Sequence, residues 1–119
     1  MTFKRNLEID QGADFELVAT YEAGDPTPTP VDLTGCTARM QAREDYDSPT
    51  PLFTLTSAPG DGITLGGASG EITIFIPASM TETFRWDTAL YDLELTYPSG
   101  RVVRLLKGSV SVSPEVTRA

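Results

Sequence analysis

The sequence predicts an all-β protein, an antiparallel β-sandwich of about seven to nine strands in a single domain spanning residues 1–119. Apolar and polar residues alternate in many short segments, which is typical of strands with one buried face. Turn residues separate these segments at roughly the 8–12-residue spacing of sandwich proteins. Only residues 77–84 favour a helix, so we expect at most one short helix there.

Four strands are predicted in the first half of the chain, at residues 7–9, 15–21, 36–43 and 52–56. In the second of these, Phe15, Leu17, Ala19 and Tyr21 share one side. We expect that side to face the core.

The second half should supply strands at residues 63–65 and 71–76. After them, residues 91–97 and the run that begins at 101 should form a strand pair joined by the turn at 98–100, followed by a short terminal strand. The segment at 71–76 carries the strongest core signal, because Ile72, Ile74 and Ile76 point to one face. Phe84 and Trp86, after the helical segment, are expected to close one end of the sandwich.

Two segments are expected to serve as arms that pair with neighbouring chains. Residues 1–6 form a possible N-terminal arm that contains the adjacent basic pair Lys4 and Arg5, and this arm could dock against an acidic neighbouring copy. Residues 22–31 form an exposed loop, whose prolines favour extended, unpaired backbone. With the aromatic Tyr46, the candidate partner-binding residues are Lys4, Arg5, Asp25, Pro26, Pro28, Pro30 and Tyr46.

Charge and composition exclude several partner classes. A net charge of −8 argues against nucleic-acid binding, because phosphate neutralisation needs clustered Lys and Arg. The sequence contains neither a membrane-spanning apolar stretch nor a signal-peptide core, so we expect synthesis in the cytoplasm and no membrane partner. The single cysteine, Cys36, is expected to be buried and inert.

Residues for catalysis are scarce. The chain has no histidine, which excludes Ser-His-Asp and Cys-His arrangements and the commonest zinc sites. Carboxylate pairs remain, with Asp87 and Asp92, or Glu44 with Asp45 and Asp47, as the available acids. Nothing in their spacing indicates a catalytic pair, and we expect them to be solvated acids at strand ends or in loops. We therefore expect no enzyme, no cofactor and no small-molecule substrate. Arg101 and Arg104 are expected to pair with Asp92 and Glu94 across neighbouring strands.

Two ligand hypotheses remain open. Asp45 and Asp47 have a spacing found in calcium loops, although the glycine and distal glutamate of such loops are missing. Exposed aromatic rings would indicate a carbohydrate-binding module, and Tyr46 is the aromatic residue most favoured for exposure, since Trp86 and Tyr91 are expected in the core. The glycine-rich run at 60–70 is explained by tight turns.

The order of motifs resembles small structural proteins of tailed bacteriophages, in particular the N-terminal domain of the upper baseplate protein family. The resemblance covers residues 7–116 and is carried by the segments at 9–15, 31–43, 62–65, 70–73, 91–95 and 108–112. It implies an immunoglobulin-like sandwich that attaches to other virion proteins, without enzymatic activity. Since these residues include no coiled coil or receptor-binding module of the longer family members, we expect a separate small virion protein and not a baseplate hub that holds fibres.

These considerations predict a non-enzymatic virion component of the tail, baseplate or fibre region, made in the host cytoplasm and bound to other virion proteins and to copies of itself. A capsid decoration (cement) or head-fibre protein is the alternative location. A carbohydrate-binding adhesion module is the alternative function.

Overall fold

The computed structural model describes residues 2–24 and 26–118. These residues form a two-layer β-sandwich with a small β-hairpin at its side. The strands are β1 (Phe3–Lys4), β2 (Leu7–Asp10), β3 (Phe15–Thr20), β4 (Glu22–Ala23), β5 (Thr29–Pro30), β6 (Thr37–Arg43), β7 (Phe53–Thr56), β8 (Ile63–Leu65), β9 (Glu71–Ile76), β10 (Thr88–Thr96) and β11 (Val102–Ser113). The predicted all-β sandwich is confirmed.

The large sheet has the strand order β1-β11-β10-β6-β7, with β2 also pairing with β11, and the small sheet has the order β3-β9-β8. Strands β4 and β5 form the separate hairpin. Most pairs are antiparallel, as predicted, but β1 and β2 both run parallel to β11 along its outer edge.

The core lies between the two sheets and follows the alternation of the sequence. Ile72, Ile74 and Ile76 of β9 are at most 2% exposed, as their period-two spacing predicts. From the large sheet, Met40 and Leu93 meet them at 0% exposure. The core signal read from residues 71–76 is therefore correct.

Strand β11 differs from the prediction. Residues 102–113 form one continuous strand, so the expected short terminal strand is its second half. Gly108 does not end the strand, because its missing side chain makes room for a neighbour: a Cβ there would lie 2.2 Å from the Arg5 carbonyl oxygen. A register shift after Leu93 adds a bulge to the β10–β11 pair.

The N-terminal segment lies against its own sheet. Phe3 and Lys4 pair with Leu106 and Lys107, and the Arg5 amide donates to the Lys107 carbonyl at 2.8 Å. Residues 2–6 therefore do not extend from the body as the expected arm, because β11 offers them a free edge.

The proline-rich segment is exposed but is not unpaired as expected. Glu22 pairs with Pro30 and Ala23 with Thr29, and the Val31 amide donates to the Tyr21 carbonyl at 2.9 Å. A proline can occupy this position since β5 is a two-residue strand at an edge.

The short helix is present. Helix α1 spans Ala78–Thr81, within the predicted segment 77–84, and Pro77 is its N-cap residue. A 3-10 turn at Gly67–Ser69 is the second helical element of the described residues.

Phe84 stacks on Phe53 with ring centroids 5.4 Å apart, and Trp86 joins them, so the predicted aromatic end of the sandwich is confirmed. Within the described ranges, no helix has the length and apolarity to span a membrane.

Candidate binding face on the large sheet

The outer face of the large sheet collects many of the charged side chains of the protein. Since every second residue of a strand points outward, the register places Gln41, Asp92 and Lys107 in one row across β6, β10 and β11. Arg39, Glu94 and Arg104 form the next row.

Five of the nine basic residues of the chain lie on this surface, which we call the cationic face: Lys4, Arg39, Arg43, Arg104 and Lys107. Three acids, Asp45, Asp92 and Glu94, share a hollow with two of these cations. Two more, Glu8 and Asp10, lie on the outer side of the same sheet, on β2 at its edge. In the sequence, only Lys4 and Arg5 are basic residues next to each other. The structure therefore assembles a larger cationic surface than the sequence indicated.

Few of these cations are neutralised by a direct ion pair. The Arg104 Nε lies 3.4 Å from the Asp92 Oδ2, and both side chains are about half exposed. This is the single ion pair within 4 Å among the described residues. It confirms the predicted pairing of Arg104, whereas Arg101 instead lies over the Tyr97 ring, 5.7 Å from its centroid.

The loop after β6 is fixed above this face by Arg43. The Arg43 guanidinium donates to the Ser48 carbonyl at 2.7 Å and to the Gln41 Oε1 at 2.9 Å. Tyr46, at the tip of this loop, is 86% exposed, as expected from its polar neighbours. A fixed loop with an exposed ring offers a contact that loses little conformational entropy on binding.

Two hollows that both include Tyr46 in their lining have volumes of about 330 and 370 Å³. Tyr46, Leu90 and Asp92 line both of them. The first also contains Asp45 and the second Lys4, so three of the predicted site residues are brought to one surface.

Asp45 has a local structural role. Its Oδ1 accepts a hydrogen bond from the Asp47 amide at 2.9 Å, which closes an Asx turn. Among the described residues, no group of three or more His, Cys, Asp or Glu side chains has the geometry to hold a metal ion. The two-residue spacing of Asp45 and Asp47 is the spacing of this turn.

Tyr91 is buried beneath the cationic face and holds the N-terminal segment in place. Its hydroxyl donates to the Arg5 carbonyl at 2.6 Å, which ties the N-terminal segment to β10. Burial raises the pKa of Tyr91 to about 12, and the positive charge of Arg5 only partly opposes this effect. The hydroxyl therefore remains a donor at physiological pH.

The remaining predicted residues lie elsewhere. Pro26, Pro28 and Pro30 are exposed on or beside the hairpin, and Asp25 lies outside the described residues. Asp87 lines a hollow of about 410 Å³ at the aromatic end of the sandwich, whereas Asp92 lies on the cationic face. The structure thus places the two acids considered for paired catalysis in different hollows.

Sequence reasoning missed Arg39, Arg43, Arg104 and Lys107 as members of one surface. The outward orientation of Arg39 and Arg43 could be read from the alternation within β6. Arg104 and Lys107 are three residues apart in β11, and they share a face only because the β10–β11 bulge skips Leu105. The proximity of the residues on different strands could not be predicted from the sequence, because it depends on the order of strands in the sheet.

No protein-family model and no curated protein matches the chain. Among solved structures, one described as chicken TCR superposes with a TM-score of 0.59 at 13% sequence identity. The match covers 99% of this chain and 57% of the chicken chain, so this protein spans just over half the length of that structure. The fold is immunoglobulin-like. At this identity the similarity concerns the fold alone.

Immunoglobulin domains of antibodies join their sheets by a disulfide. This chain has one cysteine, so its sheets are held together without an internal disulfide, by aliphatic packing around Ile74 and Leu93.

Proposed function

We propose that this protein is a non-enzymatic structural component of a tailed-phage virion, an adaptor or attachment protein of the tail, baseplate or fibre region that binds other virion proteins. The resemblance of its motif order to small phage structural proteins supports the virion location. The immunoglobulin-like fold agrees with what that resemblance implies.

The observation that carries the binding role is the arrangement of the cationic face. Its charged groups are spread over an open sheet surface beside an exposed tyrosine, and they are not gathered around one reactive point. Protein interfaces have this form, since a typical one covers about 800 Å² on each partner and uses aromatic and Arg side chains as anchors.

A cryo-electron reconstruction of purified particles of the phage that encodes this chain, together with mass spectrometry of their proteins, tests the proposal. A ring of three, six or twelve copies at the tail or neck is the expected result. Density at capsid lattice points in hundreds of copies would instead make the protein a capsid decoration or head-fibre protein. The virion role is wrong if the chain is absent from purified particles.

A carbohydrate-binding function is the second candidate, because Tyr46 exposes its ring beside Asp45 and above two hollows that contain polar groups. Such a ring can stack on a sugar face while the polar groups hold the hydroxyls. Titration with bacterial surface polysaccharides, comparing the natural chain with Tyr46→Ala, tests this candidate. Binding that survives Tyr46→Ala would exclude this site.

A further inference from the structure

We propose that the cationic face of one copy binds the outer face of the small sheet of a second copy, so that the copies associate head to tail. This inference deepens the proposed function, because it names a second copy of the chain as a partner of the same face. It rests on how charge is divided between the two sides of the sandwich.

Basic residues are absent from long parts of the sequence, and these parts build the small sheet. No Lys or Arg occurs in residues 6–38 or 44–84, which contain all of β3, β8 and β9. The cationic face belongs to the large sheet and therefore points in the opposite direction. The two outer faces of one molecule thus differ in charge.

The outer face of the small sheet, which we call the anionic face, also has an exposed apolar centre. Glu16 and Glu71 are exposed and flank Val18 and Phe75, which are 50% and 38% exposed. In the register, Glu16 lies opposite Phe75 and Val18 opposite Thr73. A hollow of about 510 Å³ borders Phe75 and Glu16. Apolar side chains within a polar rim are typical of protein interfaces.

The two faces complement each other in both charge and apolar contact. On the cationic face, Lys4, Arg39 and Lys107 have no carboxylate within ion-pair distance among the described residues, so they are available to Glu16 and Glu71 of a neighbour. The exposed Tyr46 ring supplies an apolar group for the surface formed by Val18 and Phe75. Aromatic anchors of this kind dominate the energy of many interfaces, while the charges set orientation.

The overall charge of −8 does not prevent this association. Salt screens charges over about 8 Å at physiological ionic strength, so repulsion between whole molecules is weak while contacts across the interface persist. Like charges in direct contact disfavour arrangements that bring two anionic faces together. The charge distribution therefore selects the head-to-tail arrangement over a two-fold one.

Head-to-tail contacts use two different surfaces on each copy, and they generate rings when the rotation between copies closes. This matches the ring of copies expected for an adaptor of the tail. A contact that does not close would give filaments.

Charge reversal tests the proposal with purified full-length protein. One variant carries Lys4→Glu and Arg39→Glu on the cationic face, and the other carries Glu16→Lys and Glu71→Lys on the anionic face. The matched control for the cationic-face variant carries Arg85→Glu and Arg118→Glu, which lower the net charge by the same amount at the end of the sandwich. Circular dichroism melts show that each variant is folded.

Sedimentation velocity up to about 1 mM protein measures association, at about 50 mM and about 500 mM salt. The natural chain and the control should self-associate, and high salt should weaken this. Each face variant should lose self-association by about tenfold or more in affinity, since like charges then meet across the contact. Mixing the two variants should restore association, because each then offers the charge that the other needs.

The proposal is wrong if the natural chain remains monomeric throughout this range, if the face variants associate as well as the control, or if the mixture remains monomeric. These outcomes leave the virion role unaffected, since that role is decided by the presence of the chain in particles. Conversely, if the chain associates head to tail but is absent from particles, this inference holds and the virion role is wrong.

Discussion

The hydroxyl of Tyr91 donates a hydrogen bond to the carbonyl of Arg5 at 2.6 Å, across 86 positions of sequence. It secures the N-terminal segment, from which Lys4 reaches the cationic face. Tyr91→Phe removes this donor while keeping the buried ring, which is 4% exposed. We expect a loss of about 1 kcal/mol in the free energy of unfolding at neutral pH, measured by denaturant melts. A variant as stable as the natural chain would show that the bond contributes nothing.

The same residue predicts a dependence of stability on alkaline pH. Burial raises the pKa of Tyr91 to about 12, whereas a tyrosine in an unfolded chain titrates near 10, so the folded state retains a proton that the unfolded state releases. This contribution to stability is complete below pH about 10 and is lost as the pH rises towards about 12. Tyr91→Phe should therefore lose less stability over this range than the natural chain, in denaturant melts at each pH. Tyr46→Phe, which changes an exposed ring, serves as the control and should follow the natural chain.

Gly108 is needed for the close approach of the N-terminal segment to β11. A Cβ at this position would lie 2.2 Å from the Arg5 carbonyl oxygen and 2.8 Å from its carbon, both backbone atoms that cannot move independently. We expect Gly108→Ala to displace residues 3–6 and to cost about 1–3 kcal/mol, the usual range for overpacking. Hydrogen exchange should show faster exchange of the Arg5 amide, which is bonded to the Lys107 carbonyl. Unchanged exchange at Arg5 would contradict this account.

Ile74 lies at the centre of the core and is 1% exposed. Ile74→Ala should lower the free energy of unfolding by about 2–4 kcal/mol, because the deleted methyl groups leave a cavity between the sheets. Val18→Ala is the control on the neighbouring strand: Val18 is 50% exposed, and its truncation should change stability by less than about 0.5 kcal/mol. Equal losses in the two variants would mean that the core is misplaced.

Much of the fold could be predicted from local pattern. Ile72, Ile74 and Ile76 alternate without interruption, so their burial follows from the pleat of a strand. The exposure of Tyr46 followed from its acidic and proline-rich surroundings. Both predictions needed only residues within one segment.

Other features depend on contacts between distant segments and could not be predicted. The parallel pairing of Phe3 and Lys4 with β11 could not be predicted from their sequence, because two residues are too few to show an alternating pattern. The need for glycine at position 108 arises from the close approach of Arg5, which lies 103 positions earlier in the sequence. The cationic face could likewise not be predicted without the order of strands in the large sheet.

Thr81 is the one buried polar residue among those described, at 0% exposure. Its hydroxyl donates to the Ala13 carbonyl at 2.8 Å and accepts from the Gly12 amide at 3.1 Å, which joins α1 to the turn between β2 and β3. Thr81→Val keeps the shape but leaves both backbone groups unpaired, so we expect a loss of about 2–4 kcal/mol in denaturant melts. Thr81→Ser keeps both bonds and loses a methyl group, which should cost about 1 kcal/mol. If Thr81→Ser were the more damaging change, packing of the methyl group would be the main role of this residue.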